Sequence, residues 1–180
     1  MNTENKGYKV DRFETLIPIE ELLRDYFDFS DTLSKCRECS GYGKTWSCPE
    51  LDFDPEEFLR RFSTFRLIVD RVFNDGTASP AEAEERLFAE KRRYDKDMRE
   101  IEAAIPGSYG LAAQECIECG TCGRQFGKPC VHPEIMRFGL EAIGCFPVKL
   151  VKDKCGFDIL WSDGTSIPEY YLLVAGVLLP

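Results

Sequence analysis

The sequence predicts an α+β fold in which a small β-sheet packs with helices and carries cysteine-rich loops. Two segments, Phe65–Phe73 and Tyr170–Leu179, have the apolar, β-branched or aromatic composition of buried strands. A third segment, Ser79–Ile105, repeats apolar residues at helical spacing. Seven of the nine cysteines fall within residues 36–49 and 116–133, so we expect these two loops to carry the chemistry.

The length of 180 residues predicts a single domain, residues 1–180, with one core. The amino terminus is polar, and no apolar run approaches the roughly 18 residues that span a membrane. We therefore expect a cytoplasmic protein without a membrane partner. The net charge of −9 argues against nucleic acid as a partner, because Lys and Arg neutralise phosphates in such complexes. The oligomeric state is left open.

The amino-terminal part predicts a strand at Tyr8–Ile17 and a helix at Ile19–Phe27. Pro18 is tolerated at the start of a helix, where its missing amide is not needed. One face of this helix is apolar and should pack on the core; it comprises Ile19, Leu22, Leu23, Tyr26 and Phe27.

The middle of the chain predicts a short helix, a strand and a long helix. Asp54 caps a helix that extends to about Phe62, and Phe65–Phe73 follows as a central strand. The long helix extends from Ser79 to Ile105, with its Glu, Lys and Arg residues expected in solvent. Its apolar stripe is Leu87, Tyr94, Met98, Ile101 and Ile105.

The last third of the chain predicts a short strand, two helices and a final strand. Residues Tyr109–Ala113 form the short strand and lead into the second cysteine loop. The helices are expected at His132–Ile143, ended by Gly144, and from Phe146 to Lys154. The final strand, at residues 170–179, should lie in the centre of the sheet.

The first cysteine loop has the spacing Cys36-x2-Cys39-x8-Cys48. Without an export signal, many cysteines indicate metal or redox roles rather than disulfides. The first pair can bind a metal through a tight turn, and glycines at 41 and 43 let the chain bend back so that Cys48 reaches the same centre. A fourth ligand must come from elsewhere in the chain, from solvent or from a bound molecule. Buried, reduced cysteines are the alternative interpretation.

The second loop places Cys116, Cys119 and Cys122 at intervals of three residues, with Cys130 eight positions further on. Structural zinc usually takes two separated cysteine pairs, because four donors must surround one small ion. A [4Fe–4S] cluster is larger and accepts thiolates at separate corners. The spacing therefore favours one or two [4Fe–4S] clusters, with zinc as the alternative.

Ligand assignment stays open at three further residues. In two-cluster ferredoxins the last cysteine of such a run ligates the other cluster, so Cys130 could complete either centre. Cys145 and Cys155 are additional candidate ligands, although a single cysteine is more often a core residue. His132 is interpreted as a neighbour of the cluster. No phosphate-binding or dinucleotide-binding glycine motif is present, and catalytic residues cannot be assigned.

Two strings resemble a family of microbial proteins described as predicted metal-binding proteins of unknown function. They are Cys36-x2-Cys39-x2-Tyr42-Gly43-Lys44-x-Trp46-Ser47-Cys48-Pro49 and Cys116-x2-Cys119-x2-Cys122-x7-Cys130-x2-Pro133. Met136–Gly144 is similar to a short helix of that family. The resemblance implies a cysteine-ligated metal, with iron–sulfur as the expected form. Glu50 and Val131 depart from the Pro and Arg expected at these positions.

These patterns support three functions. The first is a [4Fe–4S] protein in electron transfer or an accessory redox role. The second is a structural zinc scaffold, and the third is an enzyme with an open iron site at the centre formed by Cys36, Cys39 and Cys48. A redox partner protein could meet basic residues near the cysteines, although a mixed solvated surface is the simpler interpretation. These residues are Lys35, Arg37, Lys44, Arg124 and Lys128.

Overall fold

The fold is an antiparallel sheet with helices packed on it. A computed structural model of the protein describes residues 7–77, 79–162 and 165–180. The strands are β1 (Val10–Pro18), β2 (Thr64–Phe73), β3 (Tyr109–Gly110) and β4 (Tyr170–Leu179). Their order across the sheet is β1-β2-β4-β3, which confirms the α+β class. The two apolar segments are the central strands, paired along their whole length.

Five α-helices and two short 3-10 turns complete the chain that the structure describes. The helices are α1 (Ile19–Tyr26), α2 (Phe29–Glu38), α3 (Pro55–Leu59), α4 (Pro80–Ala104) and α5 (Pro147–Cys155). The 3-10 turns are Gly123–Phe126 and Glu141–Ile143. In the described ranges, none of these helices combines the length and the apolar character needed to cross a membrane.

Two predicted helix starts are confirmed by their caps. The side chains of Asp54 and Ser79 accept hydrogen bonds from the amides of Glu57 and Glu82. The helix α2, which the sequence did not predict, begins in the same way, since Asp28 accepts a hydrogen bond from the amide of Asp31. It extends to the first cysteine pair and therefore matters for the candidate site.

The prediction of a helix at His132–Ile143 is wrong. The short helix that the family resemblance implied at Met136–Gly144 is also absent as such. Only Glu141–Ile143 forms a helical turn, and it is of the 3-10 type. Backbone contacts with the segment after β3 hold the chain extended: the Ala112 amide donates to the Phe138 carbonyl at 2.9 Å. At Gly139 a Cβ atom would lie 2.6 Å from the Gln114 carbonyl oxygen, so the two segments touch through their backbones.

The helix α4 packs on β2 and β4 through the predicted stripe. Tyr94 and Met98 are fully buried. The Tyr94 hydroxyl donates to the Ile68 carbonyl at 2.5 Å and accepts from the Ala175 amide at 2.8 Å, bridging paired residues of the two central strands. Burial raises the pKa of Tyr94 well above its usual value, which keeps this bridging hydroxyl protonated.

The expectation that the charged residues of α4 lie in solvent is wrong at Glu90, Lys91 and Asp95, all of which are buried. Buried charges require partners, because removing an ion from water costs roughly several kcal/mol. The Lys91 ammonium and the Asp95 carboxylate are 2.6 Å apart. This pair lies beside the second cysteine loop.

Candidate metal centre

The first cysteine pair lies at the end of α2. Cys36 is in the last turn of the helix and Cys39 is the residue that ends it, so the tight-turn geometry expected for this pair is replaced by a helix terminus. The Cys39 amide donates to the Cys36 carbonyl at 3.0 Å. The Gly41 amide then points at the Cys39 sulfur, at 3.3 Å. Backbone amides aimed at sulfur are donors that stabilise a thiolate.

The chain then turns back and brings Cys48 to the first pair. Gly43 adopts a left-handed φ of 67°, as the predicted reversal requires. Burial raises the pKa of Cys36 to about 11, and charges on Glu141, Cys48 and Cys39 add to this shift. The thiols of Cys36, Cys39 and Cys48 therefore share one electrostatic environment.

The second loop closes on itself after Cys122. The 3-10 turn Gly123–Phe126 is followed by a left-handed Gly127, and the Lys128 amide donates to the Gly123 carbonyl at 3.0 Å. A Cβ atom at Gly123 would lie 3.0 Å from the Pro129 carbonyl oxygen, so the turn is tight. The reversal directs the chain at Cys130 back toward the start of the loop.

Cys130 is an electrostatic neighbour of the second loop. Burial raises the pKa of Cys116, and the charges on Glu118 and Cys130 add to the shift. The pKa of Cys119 is raised by burial and by the charges on Cys122 and Cys130. Cys130 therefore lies close enough to Cys116 and Cys119 for its charge to act on both thiols.

The two loops are joined by side-chain hydrogen bonds to backbone groups. The buried Ser47 hydroxyl accepts from the Cys116 amide at 2.8 Å. The Trp46 indole N–H donates to the Lys128 carbonyl at 3.0 Å. Each bond pairs a residue one or two positions before Cys48 with a residue of the second loop, and so the loops form one unit.

Arg124 adds a second set of bonds between the loops. Its guanidinium donates to the carbonyls of Thr45, at 2.8 Å, and of Cys48. The same group lies over the Trp46 ring, 5.3 Å from its centroid. The sequence suggested Arg124 as a surface residue that could meet a redox partner. In the structure its guanidinium binds and positions the first loop.

The second loop is also anchored to α4 through Ala113. The Lys91 ammonium donates to the Ala113 carbonyl, and the Ala113 amide donates to Asp95 at 3.0 Å. Further along, Arg99 of α4 pairs with Glu118 at 2.8 Å. A buried ion pair thus fixes the backbone just before Cys116. The sequence signal was present but was missed, because Lys91 falls on the apolar stripe between Leu87 and Tyr94.

A protein-family model described as "Predicted metal-binding protein (DUF2284)" matches residues 25–179. The chain belongs to this family. The match includes both cysteine loops and the sheet strands from β2 onward. No curated protein and no solved structure matches the chain. Membership in DUF2284 supports a metal-binding role without naming the metal.

The remaining candidate ligands of this DUF2284 chain are Cys145, Cys155 and His132. Cys145 is fully buried in the core, where its backbone pairs with Phe27. Cys155 is the last residue of α5, and burial is the cause of its raised pKa. His132 is exposed, with its Nδ1 atom 3.8 Å from a Glu134 carboxylate oxygen. These positions are those of core and surface residues.

The donor set of the DUF2284 chain has the chemistry for a thiolate-bound metal group. All nine cysteines lie in the described ranges and are free thiols. Within those ranges, no three or more His, Cys, Asp or Glu side chains converge closely enough to hold a single metal ion. The thiols are instead distributed over two neighbouring groups, Cys36, Cys39 and Cys48 and the four cysteines of residues 116–130. Thiolates bind both zinc and iron–sulfur clusters, so the donor set supports a metal-binding role without distinguishing the two.

Proposed function

We propose that the protein is a cytoplasmic iron–sulfur protein that holds [4Fe–4S] clusters and serves electron transfer or an accessory redox role. One observation carries this proposal: the second loop reverses after Cys122, through the 3-10 turn Gly123–Phe126 and the Lys128–Gly123 hydrogen bond, and so directs Cys130 back toward the other three cysteines. Four thiolates in one closed loop are the complete ligand set of one such cluster. The bound cluster would supply one-electron redox chemistry.

The loop with Cys36, Cys39 and Cys48 is proposed as a second centre. Its three thiols share one environment. The Ser47 hydroxyl accepts from the Cys116 amide and Arg124 donates to the Thr45 carbonyl, and these bonds hold the loop against the centre of residues 116–130. Adjacent centres on one rigid unit suit electron transfer between them. This arrangement supports two clusters rather than one.

The protein's own residues would tune these centres. The Gly41 amide donates to the Cys39 sulfur, and burial encloses Cys36 and Cys116. Hydrogen bonds to sulfur and restricted solvent access are the main means by which a protein sets the reduction potential of a cluster. The polar contacts between the loops therefore bear on redox behaviour as well as on folding.

The test is metal analysis of the full chain purified without oxygen. We expect a brown protein with broad absorption at about 400 nm. It should carry about four iron and four sulfide ions per cluster. Colourless protein with stoichiometric zinc would instead support the structural zinc scaffold and contradict the redox proposal.

An enzyme with an open iron site at the Cys36 centre is a second candidate. It is favoured by the carboxyl of Glu141, whose charge acts on Cys36 beside the three thiols. An open coordination position is what a catalytic metal centre needs. A Cys145→Ala or Cys155→Ala variant that loses a whole cluster would show that a fourth cysteine closes this centre, and would contradict this candidate. Unchanged iron content in both variants supports it.

A further inference from the structure

A cavity of about 150 Å³ lies between β4 and the segment that follows α5. Its apolar walls include Leu172 and Val174 of β4 and Leu160 and Trp161 of the later segment. Trp161 forms part of the wall while 71% of its surface is exposed. The cavity is therefore open at one side and apolar inside.

Gln114 and Glu141 contribute an amide and a carboxyl to the wall, which also includes Ser162 and Tyr171. Gln114 has a φ of 60°, and among non-glycine residues of the described ranges it alone has a positive φ. It is held by neighbours on both sides, since Ala113 is bound by Asp95 and Lys91 and the Gln114 carbonyl touches the backbone of Gly139. A left-handed residue costs of order 1–3 kcal/mol and persists where the surrounding structure enforces it, often at a binding site.

The composition of the wall defines the chemistry of a ligand. No Lys or Arg lines the cavity within the described ranges, so an anion would meet Glu141 without a compensating charge. A charged ligand of either sign would lose its hydration among these mostly apolar groups, which costs more than the burial of a neutral polar group. A carboxyl and an amide offer hydrogen bonds to an uncharged group. A cavity of about 150 Å³ holds one benzene-sized molecule.

We infer that this cavity binds a small uncharged organic molecule, of the size of one six-membered ring, whose single hydroxyl or amide group meets Gln114 and Glu141. The site borders both cysteine loops, since Gln114 precedes Cys116 by two residues and Glu141 lies near Cys36. The inference goes beyond the iron–sulfur proposal and stands without it, because no cavity residue is a thiol.

Two probes of matched shape, 4-fluorophenol and 4-fluorotoluene, test the inference by ¹⁹F NMR titration of the full chain. Both should bind saturably. We expect 4-fluorophenol to bind roughly fivefold more tightly, which is the effect of one net hydrogen bond. Equal affinities, or no saturable binding of either probe, would overturn the inference.

Two substitutions locate the binding. Glu141→Leu should bring the two affinities within about twofold of each other, since it removes a hydrogen-bonding group while keeping a similar side-chain size. Leu160→Trp should fill the cavity and weaken both probes at least about tenfold. Leu16→Trp, on the exposed face of β1, is the matched control and should bind as the parent does. Unchanged binding by Leu160→Trp would refute the site even if Glu141→Leu failed to fold.

Discussion

The Ser47 hydroxyl accepts a hydrogen bond from the Cys116 amide at 2.8 Å, and this contact joins residues 69 positions apart. Ser47 is 1% exposed, so its hydroxyl is shielded from water. Ser47 directly precedes Cys48 of the first loop, and Cys116 is itself a candidate ligand of the second loop. The contact therefore couples the geometry of one cysteine group to that of the other.

Ser47→Ala removes the buried acceptor and leaves the amide of the half-buried Cys116 without this partner. We expect a loss of about 1–3 kcal/mol in the free energy of unfolding of the metal-free protein, measured by urea denaturation. Ser34→Ala, at an exposed position of α2, is the control and should change stability by less than about 0.5 kcal/mol. Equal effects of the two substitutions would mean that the contact between the loops has no special weight.

The ligand assignment of Cys130 determines which of the two proposed centres has four cysteine ligands. Its electrostatic neighbours are Cys116 and Cys119, so we expect Cys130→Ala to lower the iron content by about half while Cys155→Ala leaves it unchanged. The measurement is iron and sulfide per chain in anaerobically purified protein.

The double variant Cys36→Ala/Cys130→Ala separates the two assignments. If the residues serve different centres, their losses add and almost no iron remains. An iron content equal to that of either single variant would instead place Cys36 and Cys130 at one centre, contrary to the arrangement proposed above.

Lys91→Met breaks the buried pair that holds the backbone before Cys116. The substitution keeps the aliphatic length but leaves Asp95 without its cation, and we expect a loss of roughly 3–5 kcal/mol at pH 8. Burial already raises the pKa of Asp95, and loss of Lys91 raises it further. Protonation then relieves the unpaired charge, so the loss should be smaller at pH 5.

Urea denaturation at the two pH values measures this difference. Lys96→Met is the matched control, because Lys96 lies on the same helix with its side chain exposed. The control should lose less than about 1 kcal/mol at either pH. A similar loss in both variants would show that Lys91 contributes no more than a surface lysine.

The sheet and the long helix could be predicted because their patterns are local. The apolar runs of β2 and β4 exceed what an edge strand would carry, and the start of α4 has both Ser79 as a cap and Pro80 in its first turn. Composition and spacing within about ten residues decide such elements. The two groups of cysteines were predicted for the same reason.

The remainder depends on contacts between distant segments. The region before Gly144 has helix-forming residues, yet its backbone pairs with the segment after β3 and stays largely extended. Lys91 has the spacing of a core residue and the chemistry of a surface residue, and only Asp95 and Ala113 explain its burial. Arg124 binds carbonyls of the other loop, and carbonyls carry no signal in a sequence. Tertiary partners therefore set what local preference could not.

The metal-free protein should show a distinctive pH dependence at Cys36. Burial and the neighbouring charges raise the pKa of this thiol from 9.0 to about 11, so the folded state favours the protonated form. Stability from this group is complete below about pH 9 and is lost as the pH rises toward 11, because the unfolded chain releases the proton first. Iodoacetamide reacts with thiolates and so measures this ionisation. When the folded protein is labelled at a series of pH values, mass spectrometry of the peptide containing Cys36 should show half-maximal labelling near pH 11. The same peptide from urea-unfolded protein is the control and should reach half-maximal labelling near pH 9, the ordinary thiol value. Coincident curves for the folded and unfolded protein would contradict the burial of Cys36.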